Sequence, residues 1–105
     1  MTRTPPHTRR PAIKHRLVWR NITCHVLHTR DFMSPGWTQL EIVVMTPKGA
    51  PLPITDTGYL AHYIDEAELA AAGGPVVFFT AWLDREAATK RYAKAEARWR
   101  QLPVL

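Results

Sequence analysis

The segment Trp37–Thr46 alternates between apolar and polar side chains, and this alternation constrains the fold more than any other feature of the sequence. Leu40, Ile42 and Val44 fall on one side of an extended chain, whereas Glu41 falls on the other. Because side chains of a strand point alternately to opposite faces, the pattern predicts a strand with one covered face. A sheet of such strands needs a second layer over its apolar face, which favours a layered α+β protein.

Residues 17–28 form another strand-like segment, rich in β-branched and aromatic side chains. Val18, Ile22, Cys24 and Val26 occupy even-numbered positions and would lie on one side of an extended chain. Trp19 and Leu27 have the other parity, so either both faces are partly covered or a bulge near Arg20 and Asn21 shifts the alternation. The sequence Ser-Pro-Gly-Trp at residues 34–37 is typical of a type II turn, and it predicts that the two strands form an antiparallel hairpin.

The segment after the hairpin ends in a marked helix start. Residues 54–64 are predicted to be a third strand or an extended segment. Asp65 followed by Glu68 resembles a capping box, which predicts a short helix over residues 66–72. Gly73 suits the position after the last helical turn, so we expect the helix to stop there.

The C-terminal third is predicted to be helical. Residues 76–83 contain strong strand-forming side chains, but Pro75 is favoured at the first position of a helix, and we expect a helix. From Trp82 onward the apolar residues follow helical spacing, which predicts one long helix that ends at Pro103. The predicted fold class is therefore α+β: a small antiparallel sheet of two or three strands packed by a long C-terminal helix, preceded by a short helix.

The length of 105 residues fits one domain, because a chain of this size buries roughly two-thirds of its surface on folding. Residues 1–16 are basic, contain prolines and lack an apolar run, so we expect a flexible N-terminal arm without a secretory signal. Residues 17–105 are expected to form the single α+β domain. No run approaches 18 apolar residues and Cys24 is the only cysteine, so we expect no membrane partner and a cytoplasmic location.

Charge is unevenly distributed along the chain. Residues 1–30 carry +7, residues 31–83 carry −5 with Lys48 as their one basic residue, and residues 84–105 carry +3. Basic segments attract phosphate chains, so DNA or RNA is the first expected partner, bound nonspecifically or as an accessory. The expected contacts are Arg3, Arg9, Arg10, Lys14, Arg16 and Arg20 in the first block, and Arg91, Lys94 and Arg98 on one stripe of the last helix. The ordinary alternatives are a solvated terminus and the solvent face of an amphipathic helix.

Two further hypotheses concern binding surfaces. Trp19 and Trp37 flank the predicted hairpin and, together with arginines at positions 16, 20 and 30, would suit an aromatic platform for unpaired bases, unless they pack in the core. The alternative to nucleic-acid binding is a protein-interaction module or small regulator. It would use the acidic centre with Glu66 and Glu68, or a sheet edge, and meet a protein partner or a second copy in a homodimer.

Metal and catalytic sites are not expected. Cys24 and His28 lie on one face of a strand about 13 Å apart, and His25 points to the other face, which is poor spacing for a metal site. His62 with Asp56, Asp65 or Tyr59 has acid–base chemistry, but no nucleophile elbow, paired-carboxylate motif or phosphate-binding glycine loop accompanies it. The sequence therefore predicts no enzymatic activity and no cofactor.

Overall fold

The computed structural model describes residues 11–101, which form a four-stranded antiparallel sheet followed by three helices. The α+β class is confirmed, and the sheet has four strands in the order β1-β2-β3-β4 instead of the predicted two or three. The strands are β1 Ile13–Trp19, β2 Ile22–Thr29, β3 Trp37–Thr46 and β4 Tyr59–Asp65. The helices are α1 Glu66–Ala71, α2 Pro75–Glu86 and α3 Lys90–Arg100.

The extra strand arises because residues 17–28 turn back on themselves. Arg20 and Asn21 both have positive φ, at 48° and 65°, and Trp19 pairs directly with Ile22. This is the geometry of a two-residue type I′ hairpin turn, whose twist matches the strands it joins. The turn, and not a bulge at these two residues, explains why the apolar residues change parity there.

The connection between β2 and β3, residues 30–36, ends in the predicted turn. The Trp37 amide donates to the Ser34 carbonyl at 3.3 Å, and Gly36 has φ of 82°, the left-handed conformation that a type II turn needs at this position. The Gly36 amide also donates to the Asp31 carboxylate at 3.0 Å. The hairpin of β2 and β3 is therefore confirmed.

Helices α1 and α2 begin where the sequence predicts them to begin. The Asp65 carboxylate accepts hydrogen bonds from the amides of Ala67 and Glu68, and Pro75 occupies the first turn of α2. The prediction of a single long C-terminal helix is wrong, because α2 ends at Glu86 and a separate helix, α3, begins at Lys90. The Thr89 hydroxyl accepts from the Tyr92 amide and so caps a new helix at that point. The predicted end at Pro103 lies outside the described residues.

One face of the sheet is covered by the helices and carries the core. The buried apolar side chains of the strands and helices include Leu17, Cys24, Val26, Leu40, Ile42, Leu69, Phe79 and Leu83. The other face, which we call the open face, carries the alternate side chains of all four strands. The first strand takes in Ile13 and Arg16, which the sequence reading assigned to the N-terminal arm. Over residues 11–101, none of the helices has the length and apolarity needed to span a bilayer.

Candidate nucleic-acid interface

A groove of about 770 Å³ lies between α3 and the connection that joins β3 to β4, residues 47–58. Four cationic side chains and one carboxylate line it: Lys48, Arg91, Lys94, Arg98 and Asp56. We call it the cationic groove. Its excess of positive charge fits a ligand that carries several negative charges.

Arg91 holds the two walls of the cationic groove together. Its guanidinium donates to the Asp56 carboxylate at 3.1 Å and to the Pro53 carbonyl at 3.2 Å, so α3 is tied to the β3–β4 connection. The connection is itself ordered by Thr55 and Thr57, whose hydroxyls donate to the Tyr59 carbonyl. The predicted contact residue Arg91 is thus engaged within the protein.

Lys94 and Arg98 lie on α3 one helical turn apart and both line the cationic groove. Lys48 lines it from the β3–β4 connection. All three are solvent-exposed, and in the described part of the chain none forms an ion pair with a carboxylate. Cations on opposite sides of a groove repel one another, so a bound polyanion relieves that repulsion.

Aromatic packing fixes the position of α3 on the sheet. Tyr92 is buried against Trp19, with ring centroids 5.7 Å apart. The Arg20 guanidinium lies 4.7 Å from the centre of the Trp19 ring and pairs with Glu96 at 3.6 Å. Burial, reinforced by Glu96, raises the pKa of Tyr92. Through its ion pair with Glu96, the predicted contact residue Arg20 joins the β1–β2 turn to α3.

Two of the other predicted contacts lie away from the cationic groove. Lys14 and Arg16 are exposed on the open face of β1. Three more contacts, Arg3, Arg9 and Arg10, lie outside the described residues. Among the predicted contacts that the structure describes, it therefore brings together the stripe on α3, and it adds Lys48 from another element.

Trp19 and Trp37 do not form one platform. Trp19 is only 4% exposed and its indole Nε1 donates to the Asp84 carboxylate at 2.8 Å, whereas Trp37 is 47% exposed. They lie at opposite ends of the sheet, because Trp19 pairs with Ile22 beside the β1–β2 turn and Trp37 pairs with Asp65. Core packing accounts for Trp19.

The acidic centre is partly turned inward. Glu66 accepts a hydrogen bond from the Thr38 hydroxyl, and it pairs with His28 at 3.2 Å and with Arg30 at 3.7 Å. Partial burial raises the pKa of Glu66, but the hydrogen bonds from Thr38 and His28 and the charges of His28 and Arg30 outweigh burial and lower it. Glu68 remains exposed on α1.

The cysteine and histidines of β2 do not assemble a metal site. Cys24 is fully buried, and burial raises the pKa of its thiol to about 11, so the thiol stays protonated. His28 pairs with Glu66, and His25 lies on the open face. Among residues 11–101, no group of three or more histidine, cysteine, aspartate or glutamate side chains is placed to hold a metal ion.

His62 packs among aromatic rings. Its ring centroid lies 5.4 Å from that of Phe78 and 5.1 Å from that of Trp82, and burial lowers its pKa in spite of Glu68. On β4, Tyr59 and Asp65 have the opposite parity from His62 and point to the other face of the sheet. The strand therefore separates the histidine from these two predicted acid–base partners.

Sequence reasoning missed Lys48, although one signal marked it. It is the one basic residue within the acidic block of residues 31–83, and it follows directly on a strand and a proline. A cation in a connection between strands is well placed for binding, because such connections lie at the surface. What the sequence lacked was the position of α3 on the opposite wall.

Comparison with known protein families gives a match over most of the described residues. The model of a family described as the KlcB third domain matches residues 12–93, which is more than half of the chain. The matched region includes Lys48 and Arg91 and ends just before Lys94. Neither the curated proteins nor the solved structures provide a match.

Proposed function

The chain belongs to the KlcB third-domain family, and we propose that it is a small basic domain that binds DNA or RNA nonspecifically or as an accessory. The family description names a domain and no activity, so the proposal rests on the geometry of the cationic groove. Phosphate chains supply the repeated negative charge that such a groove attracts, and contacts to phosphate do not depend on base sequence.

The observation that carries the proposal is the grouping of Lys48, Lys94 and Arg98. They come from two elements, line one groove and have no carboxylate partner within the described residues. Surface cations of a domain are often balanced by neighbouring acids, as Arg91 is by Asp56 and Arg20 is by Glu96. A cluster left unbalanced at a concave surface favours an anionic ligand.

The arm and β1 provide the remaining contacts of the proposal. Lys14 and Arg16 are exposed, and the arginines before them extend the positive charge toward the N-terminus. An arm of this kind increases affinity by neutralising further phosphates, each with release of counterions.

The test is fluorescence anisotropy of labelled DNA duplex, single-stranded DNA and RNA across a series of salt concentrations. Lys94→Gln with Arg98→Gln removes two cations from the cationic groove. Arg85→Gln with Lys90→Gln removes the same charge from exposed positions that do not line it. The slope of log affinity against log salt should become shallower by about 1.8 for duplex DNA in the first variant, at about 0.9 per phosphate contact.

The control variant should keep the slope of the unmodified protein. Equal losses in both variants would mean that only net charge matters and that the cationic groove is not the site. Absence of binding at low salt would refute the proposal as a whole.

The outer strands of the sheet favour a second candidate, the protein-interaction module. β1 and β4 are the outer strands of the sheet, and Ile13 and Val18 on β1 are about half exposed. Unpaired edges are templates for strand addition, so a second copy or a protein partner is the alternative ligand. A concentration-dependent dimer in sedimentation, without nucleic-acid affinity, would favour this candidate.

A further inference from the structure

One row of side chains crosses the open face of the sheet from edge to edge. Arg16 of β1 pairs with His25 of β2, His25 pairs with Val43 of β3, and Val43 pairs with Tyr59 of β4. Residues that pair directly across strands point to the same face, so a cation, an imidazole, an aliphatic side chain and a phenol stand in line. Three interstrand spacings of about 4.8 Å place the ends of the row about 14 Å apart.

This row is continuous with the cationic groove. Val43 and Tyr59 line the groove as well as the open face, so they lie where the two surfaces meet. A ligand that follows the groove past Lys48 reaches Tyr59 first and Arg16 last. The cationic groove and the row therefore form one continuous surface, which we call the path, and several elements of the fold contribute to it.

Tyr59 presents an exposed aromatic ring on this path. Its side chain is 45% exposed, and its hydroxyl donates to the Glu41 carboxylate at 2.6 Å, which fixes the orientation of the ring. The hydrogen bond also occupies the carboxylate of Glu41, which lies on the open face beside Tyr59. A ring held in place loses little freedom when a base stacks on it.

We propose that the open face binds single-stranded nucleic acid, with a base stacked on Tyr59 and a phosphate held by Arg16. The inference rests on the proposed function, because it extends the strand that the cationic groove would hold. Bases in a duplex are stacked on one another and do not offer their faces, whereas an unpaired base does. The path therefore selects single strands over duplexes.

A matched set of three variants tests the proposal. Tyr59→Leu removes the aromatic ring, and Tyr59→Phe keeps the ring but loses the hydrogen bond to Glu41. Tyr63→Leu removes an exposed tyrosine from the same face of the same strand, about 13 Å from Tyr59 and off the row. Each variant is titrated against labelled oligothymidine and against a blunt DNA duplex, with circular dichroism as the check on folding.

The unmodified protein should bind oligothymidine more tightly than duplex. Tyr59→Leu should lower its affinity for oligothymidine about tenfold while changing duplex affinity little, since stacking on an aromatic ring contributes about 1 to 3 kcal/mol per base. Tyr63→Leu should bind as the unmodified protein does, and Tyr59→Phe, which keeps the ring but loses the hydrogen bond that orients it, should lose less affinity than Tyr59→Leu. Arg16→Gln should make the salt slope for oligothymidine shallower by about 0.7.

Failure of this inference is distinguishable from failure of the proposed function. Equal affinity for both ligands, unchanged by Tyr59→Leu, would overturn the inference while the cationic groove remains a binding site. No affinity for either ligand would overturn both. A concentration-dependent dimer that Tyr59→Leu abolishes would assign the open face to a second copy of the chain instead.

Discussion

The substitution Trp19→Phe tests the contact that attaches the helices to the first strand. The indole Nε1 of Trp19 donates to the Asp84 carboxylate at 2.8 Å, and these residues lie 65 positions apart in the chain. The Arg20 guanidinium also lies over the indole ring. Phenylalanine keeps an apolar ring in the core but has no donor, so the change removes the hydrogen bond while filling most of the space.

The expected cost is about 2 kcal/mol in the free energy of unfolding. A hydrogen bond to a charged group contributes about 1.5 to 3 kcal/mol, and the lower end applies because Asp84 is exposed. Weaker contact between Arg20 and the smaller ring adds about 0.5 kcal/mol. For a domain of this size, 2 kcal/mol lowers the melting temperature by roughly 8 to 16 °C.

Urea unfolding followed by far-ultraviolet circular dichroism measures this cost. Combining Trp19→Phe with Asp84→Ala in a double-mutant cycle isolates the hydrogen bond, with an expected coupling of about 1.5 kcal/mol. Trp37→Phe is the matched control, and its exposed indole should change stability by no more than about 0.5 kcal/mol. A coupling below about 0.3 kcal/mol would refute the role given to the Asp84 contact, and a comparable loss from Trp37→Phe would refute the assignment of the core face.

Two further predictions concern titratable groups. The pKa of Glu66 is lower in the folded than in the unfolded chain, so its ionised carboxyl stabilises the fold above about pH 4.5, and this stabilisation is lost as the pH falls further. Acidification should therefore destabilise the unmodified protein more than Glu66→Gln in urea unfolding, and equal losses would contradict the contacts of Glu66. The buried Cys24 thiol, with its pKa near 11, should not react with Ellman's reagent until the protein is denatured. Rapid labelling of the native protein, with circular dichroism unchanged, would contradict its burial.

The parts of the fold that the sequence predicts are those set by neighbouring residues. The alternation in Trp37–Thr46 predicts β3 because each side chain position follows from the one before it. Asp65 predicts the start of α1 because its carboxylate reaches amides two and three residues ahead. Gly36 predicts its turn because few other residues adopt positive φ there.

The parts that the sequence does not predict depend on weak local signals. Type I′ turns favour Asn-Gly, and Arg20 followed by Asn21 is a poor match to that pattern, so the β1–β2 hairpin resembles one bulged strand. Ala87 and Ala88 are good helix formers, and they obscure the break before Thr89. In each case the competing interpretation satisfies the same apolar pattern.

The candidate site shows the same division. The stripe of Arg91, Lys94 and Arg98 follows from helical spacing, but the sequence treats its three members as equivalent. Asp56 lies 35 residues before Arg91 and pairs with it, whereas Lys94 and Arg98 have no such partner among the described residues. Only tertiary structure separates a cation that holds two elements together from cations that face a ligand.

This separation changes what net charge implies for binding. The first block carries +7 in the sequence, yet Arg20 and Arg30 within it pair with Glu96 and Glu66. Cations that are already paired release few counterions when nucleic acid binds. The slope of log affinity against log salt therefore reports the number of remaining cations that contact phosphate. The three groove cations that have no carboxylate partner among residues 11–101 correspond to a slope of about −2.7 on duplex DNA. A slope near that value would place the phosphate contacts in the groove, and a much steeper one would require Lys14, Arg16 and the arginines before them to bind as well.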